Sequence, residues 1–260
     1  MSIATHQPTL RVMNILELLA GFPEGLTLSE IAKRIGSPKS TVVPIVHTLA
    51  RRRFVFLNKK NRRYTIGIAS YCVGAVYNTG KSSFAFIKNE MNDIAGKTGE
   101  VCQMGVLDKG QALYIAKVDT DEPIRIASFV GKRLPAYCTA LGKAMLSSKT
   151  IEEVKALYPE GLTAYTSRTI TDFSALERQL AEIRLKGWAY ENGETTDQIE
   201  CFAAPIYAHE NLLGAISVCV PSFRITEGKK ELICSTLKES RARIETYLNA
   251  NDIDLETLTI

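Results

Sequence analysis

The chain has 260 residues, of which 45% are hydrophobic and 23% are charged, and this length suffices for one large domain or two ordinary ones. The composition argues against a disordered chain, a collagen-like repeat and a coiled coil. No apolar run reaches the roughly 18–20 residues that span a bilayer, and residues 1–10 lack the pattern of a secretory signal. We therefore expect a soluble cytoplasmic protein whose six widely spaced cysteines are reduced thiols.

The charge is distributed unevenly along the chain. Residues 1–66 carry eleven Lys and Arg against three Glu, a net charge of +8, whereas residues 67–260 carry 21 basic and 25 acidic residues, a net charge of −4. Opposite signs in the two halves predict two domains with different partners. A small basic domain suits a polyanion, but solvated basic faces are common, so the arrangement of the charges has to decide.

Hydrophobic spacing predicts two helices before residue 37. Residues 10–20 repeat apolar side chains at helical spacing with Thr9 as the N-cap, and residues 22–25 (FPEG) then break the pattern with a turn. The second helix begins at Thr27, whose spacing from Glu30 matches a capping box, and Gly36 ends it.

A third helix is predicted to start at Ser37-Pro38, an N-cap followed by proline at the first helical position, and to end at residues 51–53 (RRR). Three helices with a tight glycine-containing turn before the last are typical of a helix-turn-helix, whose later helix enters the major groove. The leading end of this helix carries a cation and two hydroxyls, Lys39, Ser40 and Thr41, which suit contacts with phosphates and bases.

Pro44 conflicts with a regular third helix. A proline in a helix interior removes a backbone hydrogen bond, clashes with the preceding turn and costs roughly 3 kcal/mol. We expect the helix to be kinked there, because Ser37-Pro38 is a good start signal. The alternative is a helix that begins late, with Pro44 in its first turn.

Residues 54–57 (FVFL) and 62–66 (RRYTI) are β-rich and flank the basic turn 58–61 (NKKN), which predicts a hairpin. After a helix-turn-helix, such a hairpin is the wing of a winged helix; for this segment alone, a solvated basic loop is the alternative. The order of three helices, a basic helix end and a basic hairpin favours DNA binding. The candidate DNA-contacting residues are Lys39, Ser40, Thr41, Thr48, Arg51, Arg52, Lys59, Lys60, Arg62 and Arg63.

The remaining chain predicts an α+β domain on an antiparallel sheet. Residues 67–78 form a short joining helix, and a helix capped by Ser83 runs to about Thr98. Strands are predicted at 100–107, 111–118, 124–130, 188–192, 201–207 and 213–220, turns at 108–110 and 209–211, and helices at 151–158, 174–186 and from Thr226 onwards.

This second domain offers little catalytic chemistry. The histidines, His6, His47 and His209, lie in a tail, in the third helix and in a turn. No residue spacing supports a metal site, a phosphate loop, a nucleophile elbow or a dinucleotide fingerprint, so we expect neither a metal nor a cofactor. An enzyme in which Cys201 acts with His209 is the alternative, although a cysteine is more often a small core residue.

Two segments suit ligand binding without catalysis. Residues 135–143 (PAYCTALGK) form a turn before a predicted helix at 143–147, whose free N–H groups are a potential anion cradle. Residues 190–201 (YENGETTDQIEC) form a polar loop that carries Glu191 and Glu194. A carboxylate-bearing metabolite suits this composition, and two ordinary surface loops are the alternative.

The order of these segments resembles the IclR family of bacterial transcriptional regulators over nearly the whole chain. The motifs that carry the resemblance are specific only together. They are TLSEIAKRIGSPKSTV and RRRFVFLNKKNRRYTIG in the first domain, and LPAYCTALGKAML, LTAYTSRTITD, LAEIRLKGWAYENGE and CFAAPIYAHENLLGAISVCVP in the second.

The resemblance implies a winged helix-turn-helix domain (residues 1–66), a linker helix (67–80) and a GAF-like effector-binding and oligomerisation domain with an antiparallel sheet (81–260). It implies a homodimer or homotetramer on palindromic double-stranded operator DNA, with a small organic molecule altering affinity or assembly. Cys201 is then a ligand contact rather than a nucleophile. The matching effector-pocket positions are Thr139, Ala140, Leu141, Gly142, Glu191, Glu194, Cys201, Ser217 and Cys219.

The sequence departs from the family pattern at three places. Pro44 stands where the family usually has an arginine, so we expect a different operator readout. Leu141 and Cys219 replace pocket positions that are often smaller or more polar, so the effector is not carried over.

We therefore expect a DNA-binding regulator, a repressor of a catabolic operon, controlled by a small carboxylate or sugar-derived acid and without a membrane partner. The alternatives are the Cys201–His209 enzyme and a metabolite sensor that acts through a protein partner. The net charge of +8 on residues 1–66 argues against the protein-partner alternative.

Overall fold

The structure is a computed structural model and describes residues 5–79, 82–123, 126 and 128–251. The chain divides into two compact units, Met1–Lys81 and Ser82–Ile260. Among the described residues, no helix combines the length and apolar character needed to cross a bilayer.

The first unit consists of three helices, a two-stranded hairpin and a fourth helix. Its elements are α1 (Gln7–Ala20), α2 (Leu28–Arg34), α3 (Lys39–Arg51), β1 (Val55–Asn58), β2 (Arg63–Ile66) and α4 (Ile68–Thr79). Ile15, Ile31, Val42, Val46 and Val55 are fully or almost fully buried and form its core. The predicted winged helix-turn-helix is confirmed.

Two predicted helix starts in this unit are wrong. α1 begins at Gln7, and Thr9, the predicted cap, lies in its first turn. The exposed polar residues there gave no periodic signal, whereas Pro8 fits a first helical turn. In α3 the N-cap position is Pro38 rather than Ser37, because Pro38 has an extended ψ of 143°.

α3 runs through Pro44, so the alternative of a late start is wrong. The helix begins at Lys39, which places Pro44 beyond the first turn. Ser40, whose carbonyl loses its usual donor four residues on, is exposed, as is Pro44 itself. Water can therefore reach that carbonyl. The kink stays a prediction.

A six-stranded antiparallel sheet forms the centre of the second unit. Lys109 and Gly110, both at positive φ, turn the first strand into the second, as the predicted hairpin requires. The strands are β3 (Val101–Asp108), β4 (Gln111–Val118), β5 (Arg133–Pro135), β6 (Ala189–Asn192), β7 (Ile199–Ala208) and β8 (Asn211–Pro221), in the order β5-β4-β3-β8-β7-β6.

Helices cover both faces of this sheet. One face packs against α5 (Ser82–Thr98) and α9 (Glu227–Ala250), and the other against α6 (Ala140–Leu146), α7 (Ile151–Leu157) and α8 (Phe173–Lys186). Neighbouring residues of a strand therefore enter different cores: Val218 faces α5 and α9, and Cys219 faces α6. The predicted α+β class is confirmed.

The segment between β4 and α7 differs most from the prediction. Of the predicted strand 124–130, residues 124, 125 and 127 lie outside the described residues, and the others are not in a strand. The predicted turn at 135–143 contains the end of β5, a 3-10 turn (Ala136–Cys138) and the start of α6. α6 begins at Ala140 instead of residue 143. The sequence did not show this start, because a helix of two turns is too short to have a recognisable periodicity.

Smaller differences occur at the ends of other elements. α5 begins at Ser82, so Ser83 is inside the helix and is not its cap. β7 and β8 each extend beyond the predicted range at both ends. Such shifts are common, because the hydrophobic pattern shows that a helix or strand is present more clearly than it shows where the element ends.

Candidate DNA interface and polar cluster

The start of α2 is fixed by the predicted capping box. The N–H of Thr27 donates to Glu30 Oε2 at 2.7 Å, and the N–H of Glu30 donates to Thr27 Oγ1 at 3.3 Å. The N–H and the hydroxyl of Thr27 both donate to the Glu30 carboxylate, and they hold the pKa of that carboxyl below its usual range. Gly36, at a φ of 62°, then makes the turn into α3.

One face of α3 is exposed and carries Ser40, Pro44, His47, Thr48 and Arg51. At 3.6 residues per turn these positions lie within about 100° of one another. Thr48 Oγ1 donates to the carbonyl of Pro44 at 2.7 Å, so its hydroxyl is oriented along this face. The sequence prediction missed His47, although its spacing of seven residues from Ser40 was an available signal.

The other predicted residues of α3 lie beside this face. Lys39 and Arg52 are exposed at the two ends of the helix, whereas Thr41 is half-buried. A base contact by Thr41 is therefore less accessible than the sequence indicated.

The wing presents three exposed cations. Asn58 Oδ1 accepts the N–H of Lys60 at 3.0 Å, and Asn61 Oδ1 accepts the N–H of Arg63 at 3.1 Å. These asparagines fix the turn between β1 and β2. The exposed cations are Lys59, Lys60 and Arg62.

Arg63, also predicted to contact DNA, is engaged inside the first unit. Its Nη1 donates to the carbonyl of Gly25 at 2.7 Å and lies 3.4 Å from Glu30 Oε2. The guanidinium thus joins β2 to the segment between α1 and α2. This arrangement assigns Arg63 to holding the hairpin against the helices.

A group of buried polar side chains, which we term the polar cluster, lies between the sheet of the second unit and α6. Strand register places Glu191 opposite Cys201, Cys201 opposite Cys219, and Ser217 opposite Gln103, all on one face of the sheet. The cluster consists of Gln103, Lys143, Glu191, Glu194, Cys201, Ser217 and Cys219, each at most 9% exposed.

Lys143 is fully buried and is the cation of this cluster. Its Nζ donates to Glu194 in a very short ion pair and to Gln179 Oε1 at 2.7 Å. Removing one member of such a pair leaves an uncompensated buried charge. α6, α8 and the segment after β6 are therefore joined through one ammonium group.

The backbone of Glu194 is held as firmly as its side chain. Its N–H donates to Glu191 Oε2 at 2.8 Å, and its carbonyl accepts Thr169 Oγ1 at 2.6 Å. Thr166 Oγ1 donates to the carbonyl of the neighbouring Gly193 at 2.6 Å. The sequence prediction missed this role of the threonines, which belong to the LTAYTSRTITD motif.

Glu191 is 2% exposed. Burial raises the pKa of its carboxyl to about 7, against the opposing effects of the Glu194 N–H and the Cys201 thiol, which hydrogen-bond to it. Near neutral pH this side chain therefore changes between a hydrogen-bond donor and an anion.

The predicted anion cradle at the start of α6 stays a prediction, although the helix begins at Ala140 and not at residue 143. Thr139 Oγ1 accepts the N–H of Gly142 at 2.9 Å, so one N–H group of the first turn is already capped. Ala140 and Leu141 are buried, and Leu141 packs where a Cβ on Gly105 would lie. Gly142 is required because a Cβ there would overlap the carbonyl of Ala136. These four residues shape the wall of the cluster.

Two atoms of the polar cluster stand out by their lack of bonding. In the part of the chain that the structure describes, Glu194 Oε2 and Ser217 Oγ are buried without a hydrogen-bond partner. Each costs about 1–3 kcal/mol when left unsatisfied. A donor for Glu194 Oε2 and an acceptor for Ser217 would complete the cluster.

The structure does not bring Cys201 and His209 together. Cys201 lies near the start of β7, and the exposed His209 follows the end of that strand eight residues later, about 26 Å away at 3.3 Å per residue. Within the described residues, no three His, Cys, Asp or Glu side chains are grouped to hold a metal ion. The cysteine-enzyme alternative therefore lacks its base.

Comparison with known families and proteins agrees with this arrangement. The family model for the IclR helix-turn-helix domain matches residues 8–56, and the model for the C-terminal part of bacterial transcriptional regulator IclR matches residues 83–246. The HTH-type transcriptional regulator BhcR of Paracoccus denitrificans is 30% identical over 233 residues, covering 88% of this chain and 83% of BhcR.

Two further relatives extend the comparison. The transcriptional repressor IclR of Escherichia coli is 29% identical over 227 residues, covering 86% of this chain and 83% of the repressor. The crystal structure of an IclR transcriptional regulator from Alicyclobacillus acidocaldarius superposes with a TM-score of 0.84 at 28% identity, covering 94% of this chain and 99% of that one.

The buried ion pair predicts a strong non-additivity. We expect Lys143→Met to lower the free energy of unfolding by roughly 3–5 kcal/mol, because Glu194 is left as an unpaired buried charge. The double variant Lys143→Met/Glu194→Gln should recover much of that stability. Urea unfolding followed by fluorescence of Trp188, the only tryptophan, measures both; equal destabilisation in the two variants would contradict the pairing.

The raised pKa of Glu191 predicts a pH-dependent stability. The folded protein holds a proton that the unfolded chain releases at its ordinary value of 4.5, so the stabilisation is complete below about pH 4.5 and is lost as the pH rises through about 7. Glu191→Gln stays neutral, so its advantage over the unsubstituted protein should grow by roughly 1–3 kcal/mol between about pH 5 and pH 8. Glu182→Gln, at an exposed position, is the control; a constant difference for Glu191→Gln would refute the shift.

Proposed function

The chain belongs to the IclR family of bacterial transcriptional regulators, and we propose that its first unit binds operator DNA while its second unit binds a sugar-derived acid that controls this binding. For the second unit, the observation that carries the proposal is the pair of buried unsatisfied atoms in the polar cluster. For the first unit, it is the exposed face of α3 together with the exposed wing cations.

The exposed groups of the first unit divide into two kinds. Ser40, His47 and Thr48 on α3 can hydrogen-bond to base edges, and Pro44 offers an apolar contact of the kind that suits a thymine methyl group. Lys60 and Arg62 on the wing are suited to phosphates, which give affinity without sequence information. We assign base readout to α3 and positioning to the wing.

Exposed apolar side chains on α4 support a homodimer. Ile68, Tyr71, Val73 and Val76 are each more than 60% exposed, which is unusual for large apolar groups on a single chain. A second copy of the chain would cover them and would carry a second α3. Two such helices fit a palindrome whose half-sites lie one helical turn or a multiple apart.

The chemistry of the polar cluster favours an acid that also carries hydroxyls. A ligand hydroxyl can donate to Glu194 Oε2 and accept from Ser217. Burial raises the pKa of Tyr114 well above its usual range, so this residue, in electrostatic contact with Glu191 and Cys201, remains a neutral donor. Neutral Tyr114 and protonated Glu191 together suit a ligand carboxylate, whereas an ionised Glu191 would repel it.

Control of DNA binding then follows from linkage. A ligand shifts the population only by binding one arrangement of the regulator more tightly than another. The factor by which the ligand changes the affinity for DNA equals the factor by which DNA changes the affinity for the ligand. The related Escherichia coli protein is named a repressor. We propose the same output here, with the ligand lowering operator occupancy.

The phosphate role of the wing gives a prediction about salt. Lys60→Ala/Arg62→Ala should weaken binding to a short duplex at low ionic strength. The slope of log K against log salt should fall by about one for each phosphate that the variant no longer neutralises. Arg63 is left intact because it holds Gly25.

Lys155→Ala/Lys238→Ala is the matched control, because it removes the same charge from exposed positions of the second unit. Fluorescence anisotropy titrations at several salt concentrations measure the slope. A wing variant that behaves like this control would show that the wing contacts no phosphate.

The ligand class predicts a selective thermal shift. Gluconate, with hydroxyls and a carboxylate, should raise the melting temperature, whereas sorbitol (hydroxyls only) and hexanoate (carboxylate only) should have little effect, since a ligand stabilises in proportion to its binding to the folded state. Ser217→Ala should reduce the shift with gluconate at little cost in stability, because that hydroxyl is unpartnered. Equal shifts with gluconate and hexanoate would exclude the role of the hydroxyls.

A further inference from the structure

Two cysteines of the polar cluster are in direct contact. Cys201 on β7 and Cys219 on β8 are opposite each other in the strand register, and their Sγ atoms are 2.7 Å apart. We propose that Cys201 and Cys219 are a redox modification site, which a small oxidant converts into a reversible intramolecular disulfide.

The backbone already has the geometry that this bond needs. Residues directly opposite each other in an antiparallel ladder have Cα atoms about 4.5–5.5 Å apart, and disulfides join Cα atoms about 4.4–6.8 Å apart. The two thiols face the same side of the sheet, toward α6. The bond can therefore form by side-chain rotation, without a shift of either strand.

The other four cysteines are not arranged in this way. Cys102 faces the opposite core, and the thiol of Cys138 donates to the carbonyl of Pro135 at 3.4 Å. Cys234 lies on α9, and Cys72 lies on α4 in the other unit. The geometry thus selects one pair.

The reaction balances with a two-electron oxidant. Both S–H bonds break, one S–S bond forms, and two electrons and two protons pass to the oxidant. A small disulfide is reduced to two thiols in this way, and an azo compound such as diamide is reduced to a hydrazine. Each belongs to the class of co-reactant that the site requires.

The environment sets the rate of this reaction. The contact with Cys219 and burial raise the pKa of Cys201 well above its usual range, and the thiolate is the attacking form. Cys201 is 9% exposed and Cys219 is 6% exposed, so only a small reagent has access. Oxidation should be slow at neutral pH and faster in alkali.

Oxidation would also change the proposed ligand site, a consequence that rests on the proposed function. Cys201 hydrogen-bonds to Glu191, and the Cys219 thiol donates to Gln103 Oε1 at 3.4 Å. The disulfide removes both S–H donors from the cluster. We expect the oxidised protein to show a smaller thermal shift with gluconate than the reduced protein.

The experiment treats the reduced full-length protein with diamide at mildly alkaline pH, then denatures it in an alkylating reagent and measures its intact mass. Two fewer alkyl groups than the six cysteines should be found, and dithiothreitol should restore all of them. Cleavage after Glu200, Glu210 and Glu227 separates Cys201 from Cys219, so a disulfide-linked pair of these peptides identifies the bond.

Cys219→Ser and Cys201→Ser should each abolish the protection from alkylation, and Cys234→Ser, the matched control, should retain it. Alkylation of all six cysteines in the unsubstituted protein after diamide treatment, or a disulfide between other cysteines, would overturn the proposal. Because mass reports the bond without any ligand, an unchanged gluconate shift in protein shown to be oxidised would refute only the link to the ligand site.

Discussion

The buried ion pair between Lys143 and Glu194 is the interaction on which the second unit depends. Its ammonium group has no access to water, so it is stable only while Glu194 and Gln179 surround it. Glu194 in turn is held through its backbone by Thr169 and Glu191. Desolvation makes such a pair costly, so its value lies in specificity: the three segments it joins have one arrangement that satisfies the charge.

The apolar core on the other face of the sheet explains why the cluster can be polar and still lie inside a packed domain. The opposite face of the sheet is an apolar core against α5 and α9, which supplies the stability from burial. The face toward α6 is therefore free to carry carboxyls, thiols and hydroxyls. Leaving Glu194 Oε2 and Ser217 Oγ without hydrogen bonds lowers the stability of the folded state. A bound polar molecule that forms these hydrogen bonds would raise it again.

Much of the fold could be predicted from the sequence, because long amphipathic helices, a capping box and hairpin turns are local signals. Thr27 with Glu30, and Lys109 with Gly110, behave as their local chemistry requires. The start of α6 could not be found in this way, since a two-turn helix shows no period. The alternation along β7 and β8 predicts which face of the sheet each residue lies on. It does not predict that Cys201 and Cys219 are opposite each other, because that depends on the register between the two strands.

Arg63 shows why the candidate DNA site was harder to predict than the fold around it. By composition it is equivalent to Arg62, its neighbour in the basic hairpin, and no local pattern separates the two. The structure separates them through a partner that is distant in the sequence, the carbonyl of Gly25, which accepts a hydrogen bond from the Arg63 guanidinium at 2.7 Å. A net charge of +8 thus overstates the charge available to DNA, because the guanidinium of Arg63 is already hydrogen-bonded within the fold. Affinity for a polyanion depends on the cations that remain exposed, and on this unit they include those at the ends of α3 and at the tip of the wing.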